Sequence, residues 1–285
     1  SRDQGSINAI LPVYNKLKKL KNFDTLFFNI DNVMDILNYN PKIVVLGSSR
    51  KRIGEKYTPE QNLICYCNNN KIPTITILDY YGYYDERFPK INNIINTKYL
   101  SNIICCIDSL QKESLIQYGI PMDRILITNN PYYDNILRRT IKVNPNTKII
   151  KILYASQPLD LRNFKLNYGF DQYINLKYLY CAFSKENDFD YEVFIRPHPN
   201  ESISDWEEVL IKNKEKFESK SNVNFRLYKT NLDLSQFSVV ISCYSTLIFD
   251  AVYLNIPTLA LNISKKKTFA NNLKTIELNI TKEIC

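Results

Sequence analysis

Histidine occurs once in this chain, at His198, inside the run Arg196-Pro197-His198-Pro199. The two prolines fix φ around the ring, so the guanidinium of Arg196 and the imidazole are held in set directions and lose little freedom on meeting a phosphate. The imidazole can donate to a phosphate oxygen or protonate a departing one; the plainer alternative is a histidine that only closes a turn. A second run, Ser242-Cys243-Tyr244-Ser245-Thr246, precedes an apolar helical pattern. There Ser242, Ser245 and Thr246 offer hydroxyls and uncapped amides to an anion, or simply cap a helix. Asp250 follows one turn on, placed to face a ribose or to hold the loop. Asp79, opening Asp79-Tyr80-Tyr81-Gly82, supplies a carboxylate that can accept a proton from a hydroxyl, or cap a turn. Ser156, in Ser156-Gln157-Pro158, and Gly5-Ser6, in Asp3-Gln4-Gly5-Ser6, complete the set; Gly5 permits close backbone approach to a ligand.

Nearly all of these groups stand at the end of an apolar, β-branched run, which is how a parallel sheet presents binding residues. The spans 24–29, 42–46, 74–78, 102–107 and 124–127 read as buried strands, with helices at 7–20, 32–38, 58–69 and 110–118. A second series has strands at 151–155, 191–195, 223–227, 239–241 and 258–261, with helices at 172–183, 204–217 and 246–254. The polar, proline-containing stretch 142–147 breaks the periodicity and serves as a linker. The fold class is therefore α/β, two Rossmann-like domains over 1–143 and 144–285, expected to face each other across a cleft lined by strand C-terminal ends. Asp79 would enter that cleft from the first domain, and His198 from the second.

Composition narrows the partners. A length of 285 residues suits two domains, and 45% hydrophobic content excludes a disordered chain. Lys plus Arg exceed Asp plus Glu, 37 against 29, which favours an anionic ligand or peripheral contact with an anionic membrane. No basic block is longer than Lys265-Lys266-Lys267 and no nucleic-acid-reading motif accompanies it, so nucleic acid is not an expected partner. Seven cysteines without framework spacing read as free thiols, with Cys65, Cys67, Cys105 and Cys106 expected buried, in a protein of a reducing, cytoplasmic compartment. With one histidine, a Cys/His metal site is not expected, nor is a cofactor. No signal peptide or apolar run of membrane-spanning length is visible, and the start at Ser1 reads as that of a trimmed or excised chain.

Over nearly its whole length the pattern resembles the GT-B glycosyltransferases of bacterial capsule and lipopolysaccharide synthesis. Gly119-Ile120-Pro121, Arg124 to Ile127 and Asn129-Asn130-Pro131 resemble the segment that closes the N-terminal domain of that fold. Arg196 to Pro199 and Ser242 to Ser245 resemble the His-Pro and serine motifs of bacterial sialyltransferases, Kdo transferases and polyol-phosphate polymerases. The resemblance implies that His198 contacts or protonates the nucleotide phosphate, that Ser242 and Ser245 bind it, and that Asp79 is the base. In that family the base stands in an acidic-acidic-glycine motif; here it reads Asp79-Tyr80-Tyr81-Gly82, with an inserted residue and no second acid, and the two serines are separated by Cys243 and Tyr244. The implied activity is metal-independent transfer of a sugar from a nucleotide donor to a glycan or lipid-linked hydroxyl. A hydrolysing UDP-N-acetylglucosamine 2-epimerase shares the architecture and is the second expectation; a non-catalytic binding domain of a larger synthase is the third.

Overall fold

A computed structural model describes residues 2–28, 36, 38–52, 54–136, 148–160, 169–186, 188–217, 222–229, 231–243, 245–261, 263 and 282–284. The chain divides into two units, Ser1–Asn135 and Ile136–Cys285. The linker expected at 142–147 and most of the helix expected at 32–38 lie outside the described residues, as does Tyr244.

Unit 1 contains α1 (Gln4–Leu17), β1 (Val44–Leu46), α2 (Pro59–Asn69), β2 (Thr74–Ile77), α3 (Tyr84–Arg87), the hairpin β3 (Lys90–Ile91) and β4 (Ile94–Ile95), β5 (Ile103–Cys106), α4 (Ser109–Tyr118), β6 (Ile125–Ile127) and α5 (Tyr133–Ile136), the last ending at the unit boundary. Its described strands form a parallel sheet in the order β1-β2-β5-β6. Local chemistry sets the helix starts. Thr58 and Gln61 make a reciprocal capping box with Pro59 in the first turn of α2, and Asp108 caps α4, which closes on Gly119 in the left-handed region. The strand expected at 24–29 does not form over its described part: residues 23–28 carry no regular structure. Their side chains pack on rings instead of pairing in the sheet, Phe27 against Tyr14 of α1 at 5.3 Å and Phe28 against Tyr39 at 5.2 Å, while Leu26 stays exposed.

Unit 2 contains β7 (Ile149–Ala155), α6 (Gln172–Phe183), β8 (Asp190–Arg196), α7 (Ile203–Lys212), α8 (Lys214–Phe217), β9 (Val223–Leu227), β10 (Val239–Ser242), α9 (Leu247–Tyr253), β11 (Thr258–Leu261) and β12 (Lys282–Ile284). The helix expected over 204–217 breaks at Asn213, whose side-chain amide donates to the Val209 carbonyl at 2.7 Å and so competes with the helix ladder. The parallel sheet runs β9-β8-β7-β10-β11-β12. Counted from β7, that is 3-2-1-4-5-6, the order of a dinucleotide-binding doubly wound sheet, whose direction reverses between β7 and β10. The core beneath it gathers Tyr154, Leu176, Val193, Ile195, Trp206 and Ile241, all essentially inaccessible to water. The two Rossmann-like units match the α/β class read from the sequence.

Candidate functional site

In unit 1 the groups singled out from the sequence converge on the end of β2. Asp79 follows that strand, and its Oδ1 accepts from Arg87 Nη1 at 2.8 Å in an ion pair whose side chains are only 11% and 4% exposed. Its Oδ2 occupies the space beside Gly5: a Cβ at that glycine would lie 2.4 Å from it. Gly5 thus permits a close approach, but the group that approaches is a carboxylate of the protein itself. Ser6 is likewise used internally, its Oγ donating to the Ser48 carbonyl at 3.1 Å and accepting from the Ser48 amide at 3.3 Å. An acceptor hydroxyl giving its proton to Asp79 would compete with a buried guanidinium for the carboxylate.

Sequence reasoning missed the other half of this cluster. Arg87 also donates to Ser48 Oγ at 3.0 Å, while its Nε is buried without a hydrogen-bond partner. A cavity of about 10 Å³, room for one water, is lined there by Ser48, Ser49, Glu60, Gln61, Arg87 and Ser101 among others. Nearby, Arg2 pairs with Glu55 at 2.5 Å and Arg50 with Glu86 at 2.7 Å. The cations at these strand ends are matched by carboxylates.

Unit 2 assembles its candidates at the point where the strand order reverses. Ser156 follows β7, β8 ends on Arg196 with His198 just beyond it, and β10 ends on Ser242 with Ser245 just beyond it, so three neighbouring strands deliver them to one edge. Ser242 is fully buried, and its hydroxyl is engaged on both sides, donating to the Ala155 carbonyl at 2.7 Å and accepting from the Ser245 amide at 3.2 Å. It stitches β10 to β7 and shapes the turn, leaving no hydroxyl for a ligand. Ser245 Oγ accepts from the Leu247 amide at 3.3 Å, and exposed Thr246 opens α9 in helical conformation without a side-chain cap. Asp250 lies buried inside α9. Arg196 extends from β8 with its guanidinium 6.0 Å from the Tyr228 ring centroid.

His198 is half-buried, and its Nδ1 accepts from the Asn200 backbone N–H at 3.1 Å. That bond places the proton of the neutral ring on Nε2, which makes that nitrogen a donor. Beneath the loop sits Glu201, absent from the sequence-based set. Its Oε2 accepts from the His198 backbone N–H at 2.5 Å, its Oε1 from Ser156 Oγ at 2.8 Å, and its own N–H donates to the His198 carbonyl at 2.8 Å. Burial raises the Glu201 carboxyl above its ordinary value, partly offset by bonds from the His198 amide and the Ser156 hydroxyl and reinforced by Asp160. The one signal that points to it is spacing: an acid three residues beyond a backbone N–H it can cap, as in a capping box.

Among the described residues, no three His, Cys, Asp or Glu side chains gather as a metal site, and no helix is long and apolar enough to cross a membrane. Six described cysteines are free thiols; of the four expected buried, Cys67, Cys105 and Cys106 are, and Cys65 is half-buried.

No family model matches the chain. No curated protein matches it in sequence. Solved structures do match in fold. The UDP-GlcNAc 2-epimerase of Methanocaldococcus jannaschii aligns over 99% of this chain and 86% of its own, at 12% identity and a TM-score of 0.59. The UDP-GlcNAc 2-epimerase of Neisseria meningitidis, solved with UDP-GlcNAc, aligns over 98% and 84% at 15% identity and a TM-score of 0.60. MnaA of Staphylococcus aureus, solved with UDP, aligns over 98% and 81% at 10% identity and a TM-score of 0.59. At such identities the likeness establishes the fold: two Rossmann-like α/β units of the kind these proteins share.

Proposed function

We propose that the protein is an enzyme of nucleotide-sugar chemistry, that its unit 2 binds the diphosphate of a UDP-sugar, and that its reaction expels UDP from the anomeric carbon. The observation that carries this reading is the delivery of Arg196, His198 and Ser245-Thr246 to the reversal point of a 3-2-1-4-5-6 sheet, the place where such sheets take nucleotides. As the C1–O bond lengthens, negative charge grows on the departing phosphate. Nε2–H of His198, the Arg196 guanidinium and the Thr246 hydroxyl are the donors that meet it, in an orientation fixed before the substrate arrives.

For the fate of the sugar, the leading reading is hydrolysing 2-epimerisation of UDP-N-acetylglucosamine, supported by fold similarity to 2-epimerases across almost the whole chain. Transfer to a glycan or lipid-linked hydroxyl is the second reading, favoured by the likeness of Arg196-Pro197-His198-Pro199 to the His-Pro motif of transferases. Either reading suits a protein of the cell interior, at most touching the inner membrane face.

The two separate in one experiment. Incubation with UDP-N-acetylglucosamine in D2O, followed by NMR, should show UDP release with deuterium at C2 of the freed sugar for epimerisation. Transfer gives UDP without C2 deuterium, and only when an acceptor is present. His198→Ala and Ser245→Ala should abolish turnover with the melting temperature kept. A UDP-dependent rise in melting temperature without turnover makes the chain a binding domain; no rise with UDP, CMP, CDP or GDP rejects the reading altogether.

A further inference from the structure

We propose that Glu201 is the positioning residue of the candidate site, clamping the His198 loop to the end of β7 so that Nε2 of the imidazole points one way before any ligand binds. The inference rests on the reading that His198 meets a phosphate, but the clamp is a property of the free protein.

Three bonds define it. Glu201 Oε2 takes the His198 backbone N–H at 2.5 Å and Oε1 takes the Ser156 hydroxyl at 2.8 Å, so one side chain ties two neighbouring strand ends. The Glu201 N–H to the His198 carbonyl, at 2.8 Å, closes the turn from the backbone side, and Asn200, inside that turn, donates to Nδ1 at 3.1 Å. Releasing the carboxylate leaves the turn closed from the backbone side alone, which loosens the His198 amide and, through the turn that carries Asn200, the hold on the ring. Below the loop, α7 is pinned by Trp206, its fully buried ring 4.9 Å from Tyr173 and 6.4 Å from Tyr154. That packing gives the carboxylate a rigid base. Proline on both sides of His198 reduces the conformations open to the loop, and the carboxylate selects one of them.

Hydrogen-bond chemistry separates positioning from a role for the charge. In Glu201→Gln the amide oxygen still accepts the His198 N–H, and the amide NH2 can donate to Ser156 Oγ, which turns from donor to acceptor. The clamp survives without the charge. Glu201→Ala removes it, and Ser156→Ala removes only the tie to β7.

The chain holds one histidine, so selective 13C,15N labelling of this chain yields a single imidazole spectrum. Wild type and Glu201→Gln should both give the sharp signature of a ring protonated at Nε2, and should bind UDP within about threefold of each other. Glu201→Ala should give a motionally averaged imidazole signal and a UDP affinity lower on the order of tenfold, as expected for losing charge-assisted bonds. Ser156→Ala should fall between. A Glu201→Ala protein with the wild-type imidazole signature overturns the proposal. So does a Glu201→Gln protein whose ring is as mobile as in Glu201→Ala while its melting temperature is intact. An imidazole signal that follows these expectations yet does not respond to UDP in the wild type leaves the clamp standing and removes the functional reading instead.

Discussion

Gly5→Ala should destabilise the protein even though it replaces a helical glycine by the best helix former. In isolation the change favours α1 by up to about 1 kcal/mol. Here the new Cβ would stand 2.4 Å from Asp79 Oδ2, so the carboxylate must retreat by roughly 1 Å to reach ordinary contact. It has little freedom to do so, because Oδ1 is paired at 2.8 Å with an Arg87 whose side chain is 4% exposed. Breaking a buried pair by displacing one partner costs about 3–5 kcal/mol, which leaves a net loss of about 2–4 kcal/mol. For a chain of this size that is a drop in melting temperature of roughly 5–10 °C, measurable by calorimetry. The stronger check is a cycle. In an Asp79→Ala background the clash is gone, and adding Gly5→Ala should be neutral or stabilising, a reversal of sign that independent sites do not show. Gly5→Ala melting at or above the wild type, or the same loss in both backgrounds, refutes the close approach of Asp79 to α1.

Three further outcomes follow from unit 2. Burial pushes the Cys243 thiol up to about 12, so a brief maleimide pulse at pH 8 should leave it unlabelled by mass spectrometry while exposed Cys181 reacts; equal labelling contradicts the buried turn. Ser242→Ala strands a buried amide and a buried carbonyl, and should cost on the order of 1–3 kcal/mol in urea unfolding together with the UDP-dependent rise in melting temperature. For Glu201 the folded carboxyl titrates above the unfolded one. Its contribution to stability is therefore whole below the unfolded value near 4.5 and is lost as pH rises through the folded value. Glu201→Gln should flatten that fall in a pH series of melting curves, and an unchanged slope would mean the carboxylate is solvated.

The sheet was legible because parallel strands buried on both faces leave continuous apolar runs, as at Ile103 to Cys106 or Val239 to Ile241. The same signal misled at 24–29, where Leu26, Phe27 and Phe28 form an apolar run that lies over α1 and Tyr39 instead of pairing. Periodicity reports that side chains seek cover and is silent on what covers them. Strand order was out of reach for a similar reason: crossing from β9 back to β10 beside β7 is a choice made by the whole core. Among the candidate residues, the strand-end placing of Arg196, His198 and Ser245 was legible because a short polar run directly after an apolar strand marks a strand-end loop. Arg87 and Glu201 were not, because an arginine in Asp85-Glu86-Arg87 and an acid in Pro199-Asn200-Glu201 look like ordinary surface charges until their partners are known.

The two units use the carboxylates at their strand ends differently. At β1 and β2 the guanidiniums of Arg2, Arg50 and Arg87 face Glu55, Glu86 and Asp79, so a phosphate entering there would have to displace carboxylates already seated within 3 Å. At β7, β8 and β10 the carboxylate of Glu201 accepts bonds from Ser156 and the His198 amide, while the imidazole's Nδ1 accepts from the Asn200 N–H. An acid that accepts from the backbone of a loop orients that loop. On the proposed reading the diphosphate goes to unit 2, and Asp79 can serve as a base only if substrate binding first loosens its hold on Arg87.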